Sequence, residues 1–564
     1  MKKVMPIIVG LVLLGTILQG AFAVSTDAER KFGAFIKDYE AKFIPLSIES
    51  SLDYFNAAIS GKDADYEKWA QAEITNEKFY SDTAMFREIR VFHEAGQIND
   101  LELRRQLEVI YLRHLGSQVD PQLLEEQVRR ESAIEQKFNT YRVTVGDRQL
   151  TDNQIDSVLR HSTDSEELRQ TWLASKEIGR EVAGEIIEVV KLRNRIAKSL
   201  GFANYFEMQL KLDEQDPAEI FALFAELDSL TRNTFIALKA QMDSILARRY
   251  GIAVSQLRPW HYQNRFFQEA PGIYPVNLDG FFAGKDPVAL SRQYFAAIGL
   301  PVDSILTRSD LYERPGKYQH AQSVSIDNAG DVRIICNVRP DNYWMNTMLH
   351  ELGHAVYDYY YDPQAPWLLR GAAHSLTTEA VANFFGRLSA NPQWLAQVAG
   401  VPQAEANRVA EDCARMQRLE QIVFSRWSQV MLHFEKALYE NPDRDLNTLW
   451  WDLVEKYQGL TRPEGRHEPD WAAKIHIATS PVYYHNYTMG ELLASQLVEN
   501  IGRKVLNSTE PFQEGFAGKK EIGMYFVENV FHPGNRYSWN EMIERATGEK
   551  LTSRHFARQF IGTK

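Results

Sequence analysis

The sequence predicts a mainly α-helical fold with one small β-sheet. Apolar residues recur at helical spacing from Thr26 to about Gly251, and further helical runs occupy 217–250, 403–439 and 486–502. The best strand candidate is "QSVSIDNAGDVRIICN" at 322–337, in which Asn328-Ala329-Gly330 supplies the turn. No low-complexity tract or internal repeat interrupts the chain, so residues 24–564 are expected to form a single domain.

The segment around residue 190 illustrates the helical pattern. Val182, Ile186, Val189 and Ile196 follow one another at spacings of four, three and seven, which places them on one face of a helix. Gly201 lies just beyond and is typical of a helix end. The segment therefore predicts a helix with one buried face.

The first 23 residues are typical of a secretory signal peptide. A basic start at Met1-Lys2-Lys3 precedes an apolar run from Pro6 to Leu18, and Ala21-Phe22-Ala23 has the small-x-small form of a cleavage site. No later stretch approaches the roughly 20 apolar residues that a membrane span requires. We expect an exported, periplasmic or extracellular protein with no stable membrane insertion after cleavage; the alternative is an uncleaved anchor.

The net charge of the chain narrows the range of binding partners. The net charge of −12 provides no basic field for a phosphate backbone, so nucleic acid is not an expected partner.

Only two cysteines are present, Cys336 and Cys413, and the sequence leaves open whether they pair. The core must therefore supply nearly all of the stability.

The stretch "MNTMLHELGHAVYDYYYD" at 345–362 contains a candidate metal site. His350 and His354 are four residues apart, so on a helix both imidazoles face one ion. Glu351 projects about 100° round the same helix, beside the ion, where it can accept a proton from water. A chance occurrence of this pattern is the alternative, and the surrounding sequence has to decide.

A hydrolytic zinc site needs three protein ligands and one open position. The metzincin spacing is excluded because Tyr357 and Tyr360 occupy the positions that need glycine and histidine. In the next helical run, "SLTTEAVANFFGRL" at 375–388, Glu379 lies among small and apolar neighbours and is the predicted third ligand. His374 is the rival, and an ordinary first-turn acid is the structural alternative for Glu379.

The segment "DWAAKIHIATSPVYYHNYTMGELLASQL" at 470–497 concentrates hydrogen-bond donors. One lysine, two histidines and three tyrosines precede a helical run. A zinc hydrolase needs donors of this kind to stabilise the oxyanion of its tetrahedral intermediate. The alternative is amphipathic packing of tyrosines at a loop-to-helix junction.

With these segments in place, the chain resembles the angiotensin-converting-enzyme family of zinc peptidases, whose best-known members are dipeptidyl carboxypeptidases. The resemblance is carried by "YQHAQSVSID", "DVRIICNVRPDNYWMNTMLHELGHAVYDYY", "LLRGAAHSLTTEAVANFFGRL" and "DWAAKIHIATSPVYYHNY", which span about 170 residues in the family's order. It implies a two-lobed helical metallopeptidase with a deep central cleft that admits short peptides. The N-terminal half matches only as a run of helices.

The resemblance also implies roles for individual residues. One zinc ion per chain would be bound by His350, His354 and Glu379, with Glu351 as the base and His476 and Tyr487 as oxyanion donors. The C-terminal carboxylate of a peptide substrate would be held by Lys474 and Tyr483, with a weaker match at Gln263. His320 and Ala321 match the strand that runs along the bound peptide.

The chain departs from the family pattern at several positions. An extra residue between Tyr483 and Tyr487 means that Tyr484 is a candidate for either tyrosine role. His485-Asn486 occupies the place of a chloride-linked arginine, which argues against chloride activation. Gln319 replaces a cysteine that would pair with Cys336, and Asn383 replaces an aspartate one turn after Glu379, so the metal is expected to be tuned differently.

Three functional hypotheses follow from the sequence. The first is an exported zinc peptidase that releases dipeptides from the C-terminus of oligopeptides. The second is a thimet-type oligoendopeptidase, from which a carboxylate-binding Lys474 would distinguish the first. The third is a catalytically silent peptide-binding protein, although the expected signature of such a protein, a broken HExxH motif, is not found here.

Overall fold

The computed structural model describes residues 26–274 and 276–562. The predicted signal peptide, residues 1–23, lies outside the described residues. The predicted mainly α-helical fold class is confirmed, and helices account for 69% of the structure.

The first four of the N-terminal helices share a hydrophobic cluster of their own. Their bounds are α1 Asp27–Ser60, α2 Asp63–Tyr80, α3 Thr83–Ala95, α4 Leu101–Gly116, α5 Pro121–Thr140 and α6 Asp152–His161. α1 begins with a capping box between Thr26 and Glu29, and it packs mainly along α2. Aromatic and aliphatic side chains of α1–α4 make a separate hydrophobic cluster that includes Phe32, Tyr39 and Ile110.

The central helices confirm the predicted pattern. Their bounds are α7 Ser165–Ser199, α8 Tyr205–Leu212, α9 Pro217–Tyr250, α10 Asp279–Phe282, α11 Pro287–Ala297 and α12 Asp303–Arg308. The predicted stripe on α7 from Val182 to Ile196 is fully buried, and Gly201 follows the helix end with a φ of +90°. α9 covers the same residues as the predicted run at 217–250.

The C-terminal half carries the candidate site. Its helices are α13 Asn342–Tyr359, α14 Ser375–Gly386, α15 Pro392–Gln397, α16 Gln403–Glu440, α17 Leu446–Gln458, α18 His476–Thr479, α19 His485–Asn500, α20 Lys520–Phe526, α21 Trp539–Thr547 and α22 Arg554–Ile561. The main hydrophobic core collects residues from Ile134 to Phe560, so α5–α22 pack around one another.

Two small antiparallel sheets are present among the described residues, where the sequence analysis predicted one. The predicted pair is β3 Gln322–Ser325 with β4 Val332–Ile335, and its hydrophobic side chains pack against α1. The additional pair is β1 Val143–Val145 with β2 Arg148–Leu150. The turn at Gly146-Asp147 was a usable hairpin signal, but each strand has only three residues.

Helices α13, α14 and α19 pack with their backbones in close contact. A Cβ added to Gly353 on α13 would lie 2.6 Å from the Cα of Ala382 on α14. One added to Gly490 on α19 would lie 3.1 Å from the Cβ of Glu379. The side-chain amide of Asn346 also donates to the carbonyl of Gly386 at 2.8 Å. These contacts fix the three helices that carry most of the candidate catalytic residues.

Both cysteines are buried and neither forms a disulfide. The alternative left open by the sequence, a bridge between Cys336 and Cys413, is therefore not formed. Among the described residues, no helix combines the length and the apolar character that a membrane crossing needs.

Candidate metal centre and active site

His350, His354 and Glu379 meet between α13 and α14. The Nε2 atom of His350 lies 3.8 Å from one carboxylate oxygen of Glu379, and that of His354 lies 3.9 Å from the other. The ligand atoms of the three residues all lie within 4.8 Å of one another. His374, the rival for the third ligand, is not part of this cluster.

The cluster fits a zinc ion. Two donors that each bind a tetrahedral zinc at about 2.0–2.1 Å are about 3.3 Å apart, so only a small contraction is needed. Burial lowers the pKa of His350 to about 4 and that of His354 to about 3, so both imidazoles are neutral at neutral pH. Burial also raises the pKa of Glu379 to about 7. Neutral imidazoles and a carboxylate are donors that zinc prefers.

Hydrogen bonds orient the two imidazoles. The Nδ1 atom of His354 lies 2.7 Å from the hydroxyl of Thr378, which leaves Nε2 free to face Glu379. The side chain of Asn383 hydrogen-bonds to His350. Asn383 stands where the family resemblance implies an aspartate, so His350 is paired with a neutral amide. A carboxylate at this position would make the imidazole a stronger ligand for the metal.

Glu351 lies next to the cluster and is 8% exposed. Burial, followed by the charge of Glu379, raises its pKa to about 8. The backbone N–H of Ser323 on β3 donates to its carboxylate. The small sheet thus holds Glu351 beside the cluster without making it a ligand.

Tyr487 lies near Glu379, whereas His476 comes earlier in the same segment and packs against Tyr484. Tyr487, on the first turn of α19, is near enough to Glu379 for the acid to raise the pKa of the phenol, after the larger effect of burial. Burial lowers the pKa of His476, so its imidazole is neutral, and its Nδ1 has no hydrogen-bond partner. Tyr487 is partly exposed and can donate a hydrogen bond to a bound molecule, whereas the unpartnered Nδ1 of His476 is buried.

Lys474 is 6% exposed and lies among aromatic rings. Its Nζ donates to Oε1 of Gln268 at 2.6 Å and lies 5.2 Å from the ring centre of Tyr484. The rings of Phe266 and Trp427 are each 5.5 Å away. Burial lowers the pKa of the ammonium to about 8, which a carboxylate ligand would reverse.

The structure separates the three tyrosines of the "PVYYHNY" run. The ring of Tyr484 lies beside the ammonium of Lys474 and packs edge-on against His476, with the ring centres 5.3 Å apart, while its hydroxyl lies near Trp427. Tyr483, which the sequence analysis paired with Lys474, instead lies beside Ser375 and Glu379. The geometry therefore favours Tyr484 over Tyr483 as the partner of Lys474.

Of the two glutamines Gln263 and Gln268, it is Gln268 that contacts Lys474. Oε1 of Gln263 accepts the backbone N–H of Gly272 at 2.9 Å, so Gln263 stabilises a loop and does not contact Lys474. Gln268 makes that contact and was missed by the sequence analysis. Gln263 and Gln268 lie in the same irregular loop, 263–272. The sequence does not indicate which of the two side chains this loop directs toward Lys474.

Comparison with known proteins tests the predicted resemblance. The family model described as "Angiotensin-converting enzyme" matches residues 26–258 and 285–560. The chain belongs to the angiotensin-converting enzyme family. Because both halves of the chain match, the family assignment extends to the N-terminal helices, where the sequence analysis found only a general likeness.

The curated relatives of this family are distant in sequence. The chain is 23% identical over 434 residues to the angiotensin-converting enzyme of Theromyzon tessulatum, covering 72% of this chain and 70% of that protein. Identity to the enzyme of Haematobia irritans exigua is 24% over 450 residues, covering 72% of each chain. An "Inactive angiotensin-converting enzyme-related protein" of Caenorhabditis elegans is 22% identical over 507 residues, covering 81% of this chain and 54% of that protein.

Membership of the angiotensin-converting enzyme family gives this chain a metallopeptidase scaffold. Since the relatives include an inactive protein, catalytic competence depends on the residues of this chain. Its HExxH sequence is complete, and His350, His354 and Glu379 come together in space.

The remaining residues implied by the family resemblance are His320 and Ala321. They immediately precede β3, the strand whose Ser323 contacts Glu351. His320 is exposed and packs against the ring of Tyr318, and Ala321 is partly buried against the main core. Both residues lie just before the strand that borders the site.

The position of the family's chloride-linked arginine contains a neutral network. Oδ1 of Asn486 accepts a hydrogen bond from Gln215 at 2.6 Å, and the imidazole of His485 lies 2.6 Å from Oε1 of Gln215. His374 adjoins the same glutamine and caps the start of α14 through Leu376. No guanidinium is part of these contacts, so the network does not have the donor set of an arginine-based chloride site.

Proposed function

We propose that this protein is an exported zinc peptidase, formed by residues 24–564 as one domain, that releases dipeptides from the C-terminus of short peptides. The observation that carries this proposal is the buried Lys474, with Gln268 and Tyr484, in the same segment as the donor His476.

His350, His354 and Glu379 would hold the zinc ion, which when bound supplies a Lewis acid that polarises the scissile carbonyl and acidifies water. Glu351 accepts the proton of the attacking water and then donates it to the leaving amine. Its burial and the Ser323 N–H hold the carboxylate in place for both transfers.

His476 and Tyr487 would donate hydrogen bonds to the oxygen on which negative charge develops. His476 begins α18 and Tyr487 lies in the first turn of α19, at opposite ends of the 476–487 segment. Donors that are already in place need no reorganisation as the charge forms, and such donors account for much of the rate of acyl-transfer enzymes.

Removing the Tyr487 hydroxyl should reduce kcat with little change in KM. We expect Tyr487→Phe to lower kcat by about 10²–10³-fold, since an oxyanion donor acts mainly in the transition state. Tyr484→Phe is the matched control, because it removes a hydroxyl three residues away, from a tyrosine whose ring adjoins Lys474. If Tyr484→Phe lowers kcat in this way and Tyr487→Phe does not, the assignment of the two tyrosines is wrong.

Lys474, Tyr484 and Gln268 would bind the C-terminal carboxylate of the substrate. An ammonium with a phenol and an amide beside it holds a carboxylate through charge-assisted hydrogen bonds. A peptide anchored by its terminus is cut at a fixed distance from that terminus. This arrangement supports the exopeptidase over the thimet-type endopeptidase.

Lys474→Ala should raise KM strongly for free-acid peptides and affect kcat less. It should also narrow the difference in kcat/KM between a free-acid peptide and its C-terminally amidated form, since the amide lacks the charge that Lys474 recognises. Product masses from a small peptide library, with and without a chelator, provide the measurement. If the unaltered enzyme cuts both forms equally and at scattered internal bonds, the endopeptidase hypothesis replaces this one.

A further inference from the structure

The loop between His476 and Tyr484 is fixed at both ends by buried charged side chains. Arg193, on α7 and almost completely buried, donates to the carbonyls of Ile477 and Ala478. Glu435, on α16 and 2% exposed, accepts the backbone N–H of Val482 at 2.9 Å. The loop is thus held between two helices, by its carbonyls at the start and by an amide at the end.

Val482 has an unusual backbone conformation. Its φ is +58°, in the left-handed region that β-branched residues rarely adopt because their side chains crowd the backbone. Such a conformation is strained and persists only where the surroundings enforce it. Val482 is itself 2% exposed, and its N–H donates a hydrogen bond to the carboxylate of Glu435.

The conformation of Val482 determines where the tyrosines point. The chain turns at this residue and enters α19, so Tyr484 faces Lys474 while Tyr483 and Tyr487 face Glu379. With Val482 in an ordinary extended or helical conformation, the next peptide group would point elsewhere and these side chains would shift. The separation of His476 and Tyr487, the two proposed oxyanion donors, depends on the same turn.

We propose that Glu435 is a positioning residue that holds Val482 in its left-handed conformation and thereby sets the placement of Tyr487 and Tyr484 relative to the zinc cluster. The proposal rests on the function proposed above for these tyrosines. Glu435 does not touch the substrate or the metal ligands; it acts through one backbone hydrogen bond.

Three substitutions of Glu435 test the hydrogen bond. Glu435→Gln keeps an oxygen at the same reach and should retain kcat within about threefold, since the amide oxygen still accepts the N–H. Glu435→Asp keeps the charge but withdraws the acceptor by one methylene, and Glu435→Met removes it. Both should lower kcat by about 10–100-fold, the cost of a displacement near 1 Å in a catalytic group. Wild-type kcat in Glu435→Asp, or equal loss in Glu435→Gln and Glu435→Met, would overturn the proposal.

A double-mutant cycle separates positioning from general damage. In a Tyr487→Phe background, Glu435→Asp should lower kcat by a smaller factor than in the unaltered enzyme, because one group it positions has already lost its hydroxyl. Zinc content and thermal stability, measured on each variant, allow kcat to be expressed per folded, zinc-bearing chain. Equal factors in the two backgrounds would show that Glu435 has only a structural role.

Hydrogen exchange tests the loop independently of activity. The backbone amides of residues 477–484, followed by mass spectrometry, should exchange faster in Glu435→Met than in the unaltered protein and at the original rate in Glu435→Gln. Unchanged exchange in Glu435→Met would overturn the proposal even if kcat falls. If the unaltered protein cuts no peptide at all, the proposed function fails, while this measurement still decides whether Glu435 holds the loop.

Discussion

Glu351→Gln should keep zinc at one ion per chain and lower kcat by about 10²–10⁴-fold, the usual contribution of a positioned general base. The amide retains the shape of the side chain and still accepts the N–H of Ser323, so the fold around the cluster is preserved. It cannot take a proton from water. Zinc content by mass spectrometry and kcat on a free-acid peptide provide the measurement.

The matched control is Glu29→Gln, the same substitution at a buried carboxylate that accepts the backbone N–H groups of Asn99 and Asp100 at 2.9 and 3.0 Å. Glu29 lies at the start of α1 and is not part of the zinc cluster, so this variant is expected to lose stability but not kcat. Near-normal turnover in Glu351→Gln would show that another residue is the base.

His350→Ala should abolish both zinc binding and activity. It removes one of three donors and keeps the Cβ of residue 350, which lies 3.3 Å from the position of a Cβ added to Gly386, so the close contact of α13 with Gly386 is retained. The two donors that remain, His354 and Glu379, do not make a stable zinc site in competition with a chelator. Metal content after dialysis against a weak chelator, together with peptide hydrolysis, gives the result.

His467→Ala is the control for the loss of a histidine. This side chain is exposed and pairs with Asp445, 3.0 Å away, outside the zinc cluster. It should leave zinc content and kcat unchanged. Full zinc occupancy in His350→Ala would contradict the ligand assignment.

The sequence predicted most of the helices because their stabilising interactions are periodic. The stripe from Val182 to Ile196 and the run at 217–250 bury one face over many turns, so the pattern is visible without knowledge of the partner helix. The zinc cluster was predictable for the same reason, since His350 and His354 lie one helical turn apart. Glu379 was harder, because only tertiary packing brings α14 against α13.

The features that the sequence analysis missed or left open are those that no local sequence pattern marks. The β1–β2 pair has three residues per strand, too short for alternation to be recognised. Tyr483 was paired with Lys474 through the family resemblance, with Tyr484 left as a candidate for either tyrosine role, and the structure places the ring of Tyr484 beside Lys474, two residues after the left-handed turn at Val482. A β-branched residue in that conformation depends on a buried carboxylate 47 residues away in the sequence, which no local signal reveals.

The close packing at Gly353 and Gly490 has a consequence for the metal itself. The three helices touch through their backbones, so the imidazoles and the carboxylate are aligned by the protein core and not by the ion. In small zinc domains folding and metal binding are one event. Here the apoenzyme should keep its shape and act as a rigid template, so activity can be restored by adding metal back. Because the three donors are already in place, other divalent ions that accept two imidazoles and a carboxylate should also bind there. We therefore expect zinc to be exchangeable for such ions.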